Sequence, residues 1–220
     1  TLFPYTTLFR SRKGEQFAEL SATQFLINPF SAHDYLTLFE RLSSRTINRC
    51  VFLWTLELPT KISPENSLTE QIRLAWKAPL FLIQALQQKT ISETFLLDFV
   101  TRGACAVTSN SQPTIQAAPL FGIVKSLVAE VSNFSCRVID LEQNITGVDH
   151  VTEASWLLLE AQQSPELPIE EQVAYRNSLR YAPRLKRLAP AKPVPTTPGY
   201  QLTIPASGSL GDLAWQACER

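Results

Sequence analysis

Short apolar runs alternate along this chain with longer stretches that are apolar on only one face. The run Thr94–Thr101 stops at a turn containing Gly103, and the helix-like stretch Pro119–Val131 follows it. The next apolar run, Arg137–Leu141, is rich in β-branched residues, as buried strands are. A strand, a helix and a strand in this order predict a β-α-β unit of a parallel sheet.

Two earlier apolar runs extend the pattern. Phe25–Asn28 predicts a short strand, and either Ser31 or Asp34 can cap a helix that runs through Leu42. Cys50–Leu56 is almost continuously apolar, as expected for a parallel strand covered by helices on both faces. We therefore expect these two strands to belong to the same sheet.

Two further helices are predicted on either side of the β-α-β unit. One begins at a cap on Ser67 and ends near Gln88, and Pro79 should kink or split it because proline removes an intrahelical donor. The other spans about Val148–Gln163. Its expected buried face consists of Val151, Ala154, Leu158 and Ala161.

In the last part of the domain the sequence predicts a pair of extended strands, Gln172–Arg176 and Ser178–Leu188, linked at Asn177–Ser178. Four strands that alternate with helices predict right-handed crossovers and one sheet covered on both faces. The fold class is therefore α/β, with a parallel sheet that has helices on both faces.

Both ends of the chain look unlike a complete domain. Thr1–Ser11 reads TLFPYTTLFRS, resembles translated sequencing-adapter sequence, and is excluded from the fold; a genuine edge strand is the alternative. Ala189–Pro198 holds four prolines and predicts a semi-rigid linker. Gly199–Arg220 then begins a new unit, in which Tyr200–Ile204 suits a strand, so we expect the chain to be a fragment.

The composition excludes several classes of partner. Twenty basic residues balance twenty acidic ones, so no broad basic field for nucleic acid or anionic membranes exists. No signal peptide and no run of 18 apolar residues is present, and we expect a cytoplasmic protein. The four cysteines are widely spaced, which favours buried thiols in a reducing compartment over a metal site or disulfides.

The motifs of the common α/β enzymes are missing. The turn Asn28–Ala32 has no glycine for a dinucleotide pyrophosphate, and no tyrosine is followed four residues later by lysine. A nucleophile elbow and a phosphate-binding P-loop are also absent. His33 and His150 lie beside Asp34 and Asp149, but a helix-start role is favoured over acid-base chemistry because sequence neighbours do not face one another. Asp98 lacks the further carboxylates of a phosphoacceptor site.

Six segments in a fixed order carry a family likeness that spans about Phe17–Leu188. The chain resembles the structural subdomain of the ketoreductase in type I modular polyketide synthases and related megasynthases, and we assign residues 12–188 to it. The segments are Cys50–Leu56, Val100–Ala104, Leu120–Glu130, Cys136–Leu141, Ala174–Arg176 and Arg180–Leu185. Phe121, Val124 and Lys125 stand where the family commonly has Trp, Gly and Arg, which puts the subfamily in question.

The resemblance implies that a ketoreductase is built from two Rossmann-like halves, of which this is the truncated, non-catalytic one. No catalytic, cofactor-binding or metal-binding residue is then expected in this chain, and NADPH would bind the missing catalytic half. Residues 199–220 would begin an inserted enoylreductase, since Tyr200–Leu202 and Gly208–Leu213 resemble its opening. The implied partners are that catalytic half, the enoylreductase and an acyl carrier protein, within a homodimeric megasynthase.

The hypothesis is therefore a scaffold that supports NADPH-dependent reduction of β-ketoacyl thioesters without itself being catalytic. One alternative is a stand-alone α/β interaction or regulatory module. Another is an independent NADP-dependent enzyme of which only the first half is present. The acyl substrate and the stereochemistry of reduction would be determined in the missing half.

Overall fold

The structure is a computed structural model, and it describes residues 8–59, 68–88, 94–108, 111–143, 150–162, 170–187, 199–204 and 214–218. The chain divides into two compact units, Thr1–Pro183 and Arg184–Arg220. In the first unit the described elements are, in order, β1 (Arg10–Lys13), β2 (Ala18–Ser21), β3 (Gln24–Ile27), α1 (Ala32–Arg41), β4 (Arg49–Phe52), α2 (Leu68–Gln71), α3 (Arg73–Gln87), β5 (Phe95–Arg102), α4 (Ala118–Glu130), β6 (Phe134–Leu141), α5 (His150–Ala161), β7 (Gln172–Arg176) and β8 (Leu179–Tyr181).

A five-stranded sheet forms the centre of the first unit, in the order β4-β5-β6-β7-β8. The first four strands are parallel, and β8 returns antiparallel to β7 through Asn177 and Ser178, which both have positive φ angles. Short helices of the 3₁₀ type at Trp54–Glu57 and Ile115–Ala117 lie beside the sheet. The predicted parallel α/β sheet is confirmed, as is the hairpin linked at Asn177–Ser178. Its second strand is much shorter than the predicted Ser178–Leu188, because it ends at Tyr181 and residues 182–187 belong to no strand.

The first predicted strand lies elsewhere. β3 pairs in parallel with β1 and antiparallel with β2 in a separate three-stranded sheet, so the expectation of a single sheet is wrong for Phe25–Asn28. Arg10 and Ser11, from the segment that was excluded from the fold, belong to β1, in line with the alternative of an edge strand, while residues 1–7 lie outside the described part. α1 follows β3 with Ser31 as its N-cap, as predicted.

Two unlike faces distinguish the five-stranded sheet. The apolar face carries alternate side chains of β5 and β6, and it packs in one core with α3, α4 and, beyond them, α1. The charged face presents the other side chains of the same strands, and α5 covers it. The apolar face consists of Phe95, Leu97, Phe99, Phe134, Cys136 and Val138, and the charged face of Asp98, Val100, Arg137 and Ile139.

The positions of α4 and α5 determine the hand of their connections. β5, β6 and β7 follow one another across the sheet, whereas α4 and α5 lie on its opposite faces. Two crossovers that advance in the same direction on opposite faces must have opposite hands. The expectation that every crossover is right-handed is therefore wrong for one of them.

Two predicted boundaries shift for local reasons. β4 ends at Phe52, because the chain turns into a 3₁₀ helix at Trp54, so the second predicted strand is shorter than Cys50–Leu56. The break predicted at Pro79 in the helix that runs to Gln88 occurs instead at Ile72, and Pro79 lies buried inside α3. The predicted cap Ser67 is outside the described residues.

The second unit contains an antiparallel ribbon of β9 (Gly199–Thr203) and β10 (Ala214–Cys218). β9 coincides with the strand predicted at Tyr200–Ile204. The segment Gly208–Leu213, which resembles the start of an enoylreductase, lies outside the described residues, as does the linker. Among the helices described, none has the length and apolar character needed to cross a membrane.

Candidate functional site

α5 is oriented opposite to the prediction made from its sequence. Glu153, Trp156 and Glu160 point inward, whereas Val151, assigned to the buried face, is 71% exposed. Trp156 stacks on Tyr175 of β7, with ring centroids 4.9 Å apart and planes within 6° of parallel. The inward face of this helix is therefore a mixture of carboxylates and aromatic surface, and its partners lie on the charged face of the sheet.

Arg137 of β6 is the centre of the charged face and is only 2% exposed. Its Nε donates to Asp98 Oδ1 at 2.6 Å, which ties β6 to β5. Its Nη1 donates to Glu160 Oε2 at 2.9 Å and its Nη2 to the Glu160 carbonyl at 2.7 Å, which ties β6 to α5. Arg49 of β4 adds a second cation on Asp98, at 2.8 Å. One guanidinium thus joins three elements that are far apart in sequence.

Glu160, only 1% exposed, also receives donors from the terminal hairpin. Tyr175 Oη donates to Oε1 at 2.6 Å, and Arg180 Nε donates to the same oxygen at 2.6 Å. Burial opposes ionisation of Glu160, but these hydrogen bonds and the charges of Arg180 and Arg137 outweigh it and lower its pKa. Burial, together with the bond to Glu160, raises the pKa of Tyr175, which keeps the phenol protonated as a donor.

A second ion pair fixes the beginning of α5 to the sheet. Arg102, at the end of β5, donates from both Nη atoms to the carboxylate of Glu153, at 2.6 and 3.0 Å. It also donates to the carbonyl of Glu142 at 2.7 Å. The hydrogen bond from Arg102 is the main cause of the lowered pKa of Glu153, and His150 contributes less. Such bidentate pairs fix geometry as well as adding energy.

Asp140 lies at the carboxyl ends of the parallel strands, is completely buried, and accepts hydrogen bonds from several groups around it. Its Oδ1 accepts from Thr101 Oγ1 at 2.7 Å and from the Ala104 amide at 2.8 Å. Its Oδ2 accepts from the Cys105 amide at 2.9 Å and forms an ion pair with Arg176 of β7. Asp140 thereby fastens the loop after β5 to both β6 and β7.

Gly103 makes that loop possible. Its φ of +64° is one that side chains rarely adopt, and a Cβ there would lie 2.7 Å from the Cβ of Gln143. Its amide donates to the Leu141 carbonyl at 2.8 Å. The following amides of Ala104 and Cys105 can then point at the Asp140 carboxylate.

A small cavity lies at this end of the sheet, among the residues that the structure describes. Its volume is about 20 Å³, and the residues that line it include Thr55, Arg102 and Thr114. That volume suits a single water molecule, whereas small-molecule sites are usually several hundred Å³. A dinucleotide does not fit this cavity, and the turn after β3 is instead stabilised by its own side chains, with Asn28 Oδ1 accepting from the Phe30 amide.

Among the described residues, those considered as chemical candidates from the sequence are not brought together, and Asp149 lies outside that part of the chain. His33 is exposed at the start of α1, beside Asp34, which bonds to the cap Ser31. His150 is exposed and lies 3.4 Å from Glu153. The thiols of Cys50, Cys105 and Cys136 have their pKa raised to about 12, chiefly by burial, which makes them poor nucleophiles.

Sequence reasoning missed the charged cluster, although a signal was present. Arg137 and Asp140 interrupt an otherwise apolar strand, and charged residues in buried strands must be paired. Glu153 and Glu160 lie seven residues apart, which places them on one helical face. Together these positions could have indicated that α5 turns its glutamates toward the sheet.

The fold and the site define a truncated Rossmann-like α/β domain whose buried charges hold its own elements together. A family model described as beta-ketoacyl synthase-like, N-terminal, matches residues 7–156. The match spans more than half of the chain, and the chain therefore belongs to this family. A comparison with curated proteins gave no match.

Solved structures with a similar fold include two with ketoreductase regions. A keto acid-selecting NRPS module with adenylation, ketoreductase and pseudo Asub domains matches with a TM-score of 0.70 and 23% identity over 84% of this chain. An N-terminal ketoreductase from the macrolactin assembly line matches with a TM-score of 0.60 and 16% identity over 81%. This chain spans only 15% and 35% of those two chains.

A third structure places the fold in the wider Rossmann group. An alcohol dehydrogenase from the archaeon Thermococcus sibiricus, complexed with 5-hydroxy-NADP, has a TM-score of 0.50 and 12% identity, covering 74% of this chain and 77% of its own. The family match and these folds confirm the resemblance to a ketoreductase structural subdomain and the Rossmann-like fold class. The enoylreductase assignment stays a prediction.

Proposed function

We propose that this chain is the non-catalytic scaffold half of a ketoreductase in a polyketide-synthase-type module. The observation that carries the proposal is the use made of its buried charges. Asp98, Arg137 and Glu160 join two strands and a helix to one another, and Asp140 binds a loop of its own chain. These groups serve the rigidity of the domain, which is what a scaffold requires.

In this proposal the domain packs against a catalytic half and stabilises it. That half would hold NADPH and reduce a β-ketoacyl thioester carried by an acyl carrier protein. Residues 199–220 would start an enoylreductase placed between the halves, and the parent megasynthase would be a homodimer. Family membership and the ketoreductase-like folds support the scaffold role. The cofactor, the carrier protein and the enoylreductase rest on the sequence resemblance.

Titration with NADPH tests the non-catalytic assignment. The 220-residue chain should bind NADPH no more tightly than millimolar, because the turn after β3 carries no glycine and the cavity at the sheet end is small. Binding can be followed by nucleotide fluorescence or calorimetry. A micromolar dissociation constant would overturn the proposal.

Coexpression tests the scaffold role directly. The catalytic half encoded downstream would be produced alone, with this chain, or with an Arg137→Met variant of it. The native chain should increase the yield of folded catalytic half and its NADPH-dependent reduction of a β-ketoacyl thioester, and the variant should do so less. A catalytic half that is equally folded and active in all three samples would contradict the scaffold function.

The outward face of α5 favours a second candidate, a stand-alone interaction module. Val151 is 71% exposed and Leu159 60% exposed on this face, and apolar surface of this kind often contacts other proteins. Sequencing the source DNA outward from both ends separates the candidates. The scaffold predicts an enoylreductase and then a glycine-rich strand–helix turn with a Tyr-x-x-x-Lys pair, whereas the module predicts a stop soon after Arg220.

A further inference from the structure

We propose that the carboxyl ends of β5 and β6 form an oxyanion-binding site that the chain closes with its own Asp140 carboxylate. The donors are two consecutive backbone amides, of Ala104 and Cys105, with the Thr101 hydroxyl and the Arg176 guanidinium. Two of them serve each carboxylate oxygen. This inference is independent of the scaffold function, because it concerns how one carboxylate is held within the chain.

The donor set has the character of an anion site. Consecutive amides that follow a left-handed residue form a concave nest for anions, and Gly103 supplies that conformation here. A guanidinium and a hydroxyl add a full positive charge and a short hydrogen bond to the same group. Thr101 and Asp140 are both fully buried, so these bonds are shielded from water.

The location shares one feature with a ligand site, the carboxyl ends of parallel strands, but it does not lie at a reversal of the strand order. Open α/β sheets bind ligands outside the carboxyl ends of their strands, at a point where the strand order reverses. In this sheet β4 to β8 follow one another without a reversal, so no crevice separates β5 from β6. A side chain of the adjacent strand can therefore reach the nest and occupy the place that an external oxyanion would take.

The tether explains why the native site excludes free anions. Asp140 is held within the same sheet, so its carboxylate competes at a high effective concentration against any anion in solution. Asp140→Ala would remove a group the size of formate while leaving the four donors in place. The variant should then bind formate at the vacated position, where the native chain binds none.

Thermal unfolding of the 220-residue chain provides the test. Asp140→Ala should melt below the native chain in sodium chloride, and formate at ten times its dissociation constant should raise the melting temperature of the variant by about 3–6 °C. The native chain should show no rise beyond that given by sodium chloride of equal ionic strength. The double variant Asp140→Ala, Arg176→Gln should lose most of the formate effect.

The proposal is overturned if formate shifts the variant no more than chloride does, or shifts the native chain by the same amount. If Asp140→Ala is not recovered folded, it can be refolded from urea in formate and in chloride. Recovery that requires formate supports a carboxylate-shaped site. Failure to refold in both salts contradicts it, because the donors then do not persist as a site without Asp140.

Discussion

Replacing Arg137 by methionine should be among the most damaging single changes to the first unit. Methionine keeps much of the aliphatic volume, but it leaves Asp98 and Glu160 without their shared cation. Breaking a buried ion pair by removing one partner costs about 3–5 kcal/mol, because a charge stays buried without compensation. Arg49 on Asp98 and Arg180 on Glu160 moderate the cost but do not replace the central position.

That cost is large against the whole stability of a domain, which is about 5–15 kcal/mol. It corresponds to a fall in melting temperature of roughly 6–20 °C for a unit of this size. Urea unfolding followed by circular dichroism measures the change in the free energy of unfolding. Lys125→Met is the matched control, since Lys125 is exposed on α4 and its loss should change stability by less than about 0.5 kcal/mol.

A double variant separates the buried charge from the lost packing. Arg137→Met with Glu160→Leu removes both members of one pair and frees Arg180, whose side chain is 34% exposed and can reach water. The double variant should therefore lose less stability than the sum of the two single variants. A loss below about 1 kcal/mol for Arg137→Met, at an unchanged m value, would refute the reasoning.

Three further results are expected. Glu160 has a folded pKa below its unfolded value, so the stability it contributes is complete above the unfolded pKa of about 4.3 and is lost as the pH falls below that. Urea titrations at a series of pH values should therefore show that the free energy of unfolding of Glu160→Gln falls less steeply with acidification than that of the native chain. Gly103→Ala should cost about 1–3 kcal/mol through its positive φ, whereas Gly122→Ala should stabilise α4 by up to about 1 kcal/mol because no atom lies within 4 Å of the new Cβ. Brief trypsin digestion should cut first at Arg184, Lys186 or Arg187, which follow the unit boundary at Pro183 and are exposed outside any helix or strand. Mass spectrometry should then show an intact first unit, and earlier cuts within it, for example at the exposed Arg45 after α1, would contradict that boundary.

The sequence by itself determined most of the succession of elements from β3 to the terminal hairpin of the first unit, whereas β1 and β2 were not predicted. β5, α4 and β6 were predicted within two or three residues, because strand and helix periodicities are written in neighbouring positions. The turn at Asn177–Ser178 and the cap at Ser31 were likewise local features that one stretch of sequence can specify. The resemblance to the ketoreductase family indicated the same fold class, because the six segments that carry the resemblance follow the order of these strands and helices.

Only the tertiary structure decided which face each element buries. α5 has apolar residues on both sides. Its glutamates point inward because they form ion pairs with Arg102, Arg137 and Arg180, which lie on strands distant in sequence. β3 likewise lies outside the central sheet because its backbone pairs with β1 and β2 instead. Periodicity encodes the shape of a segment, whereas the choice of partner depends on charges and surfaces that meet only after folding.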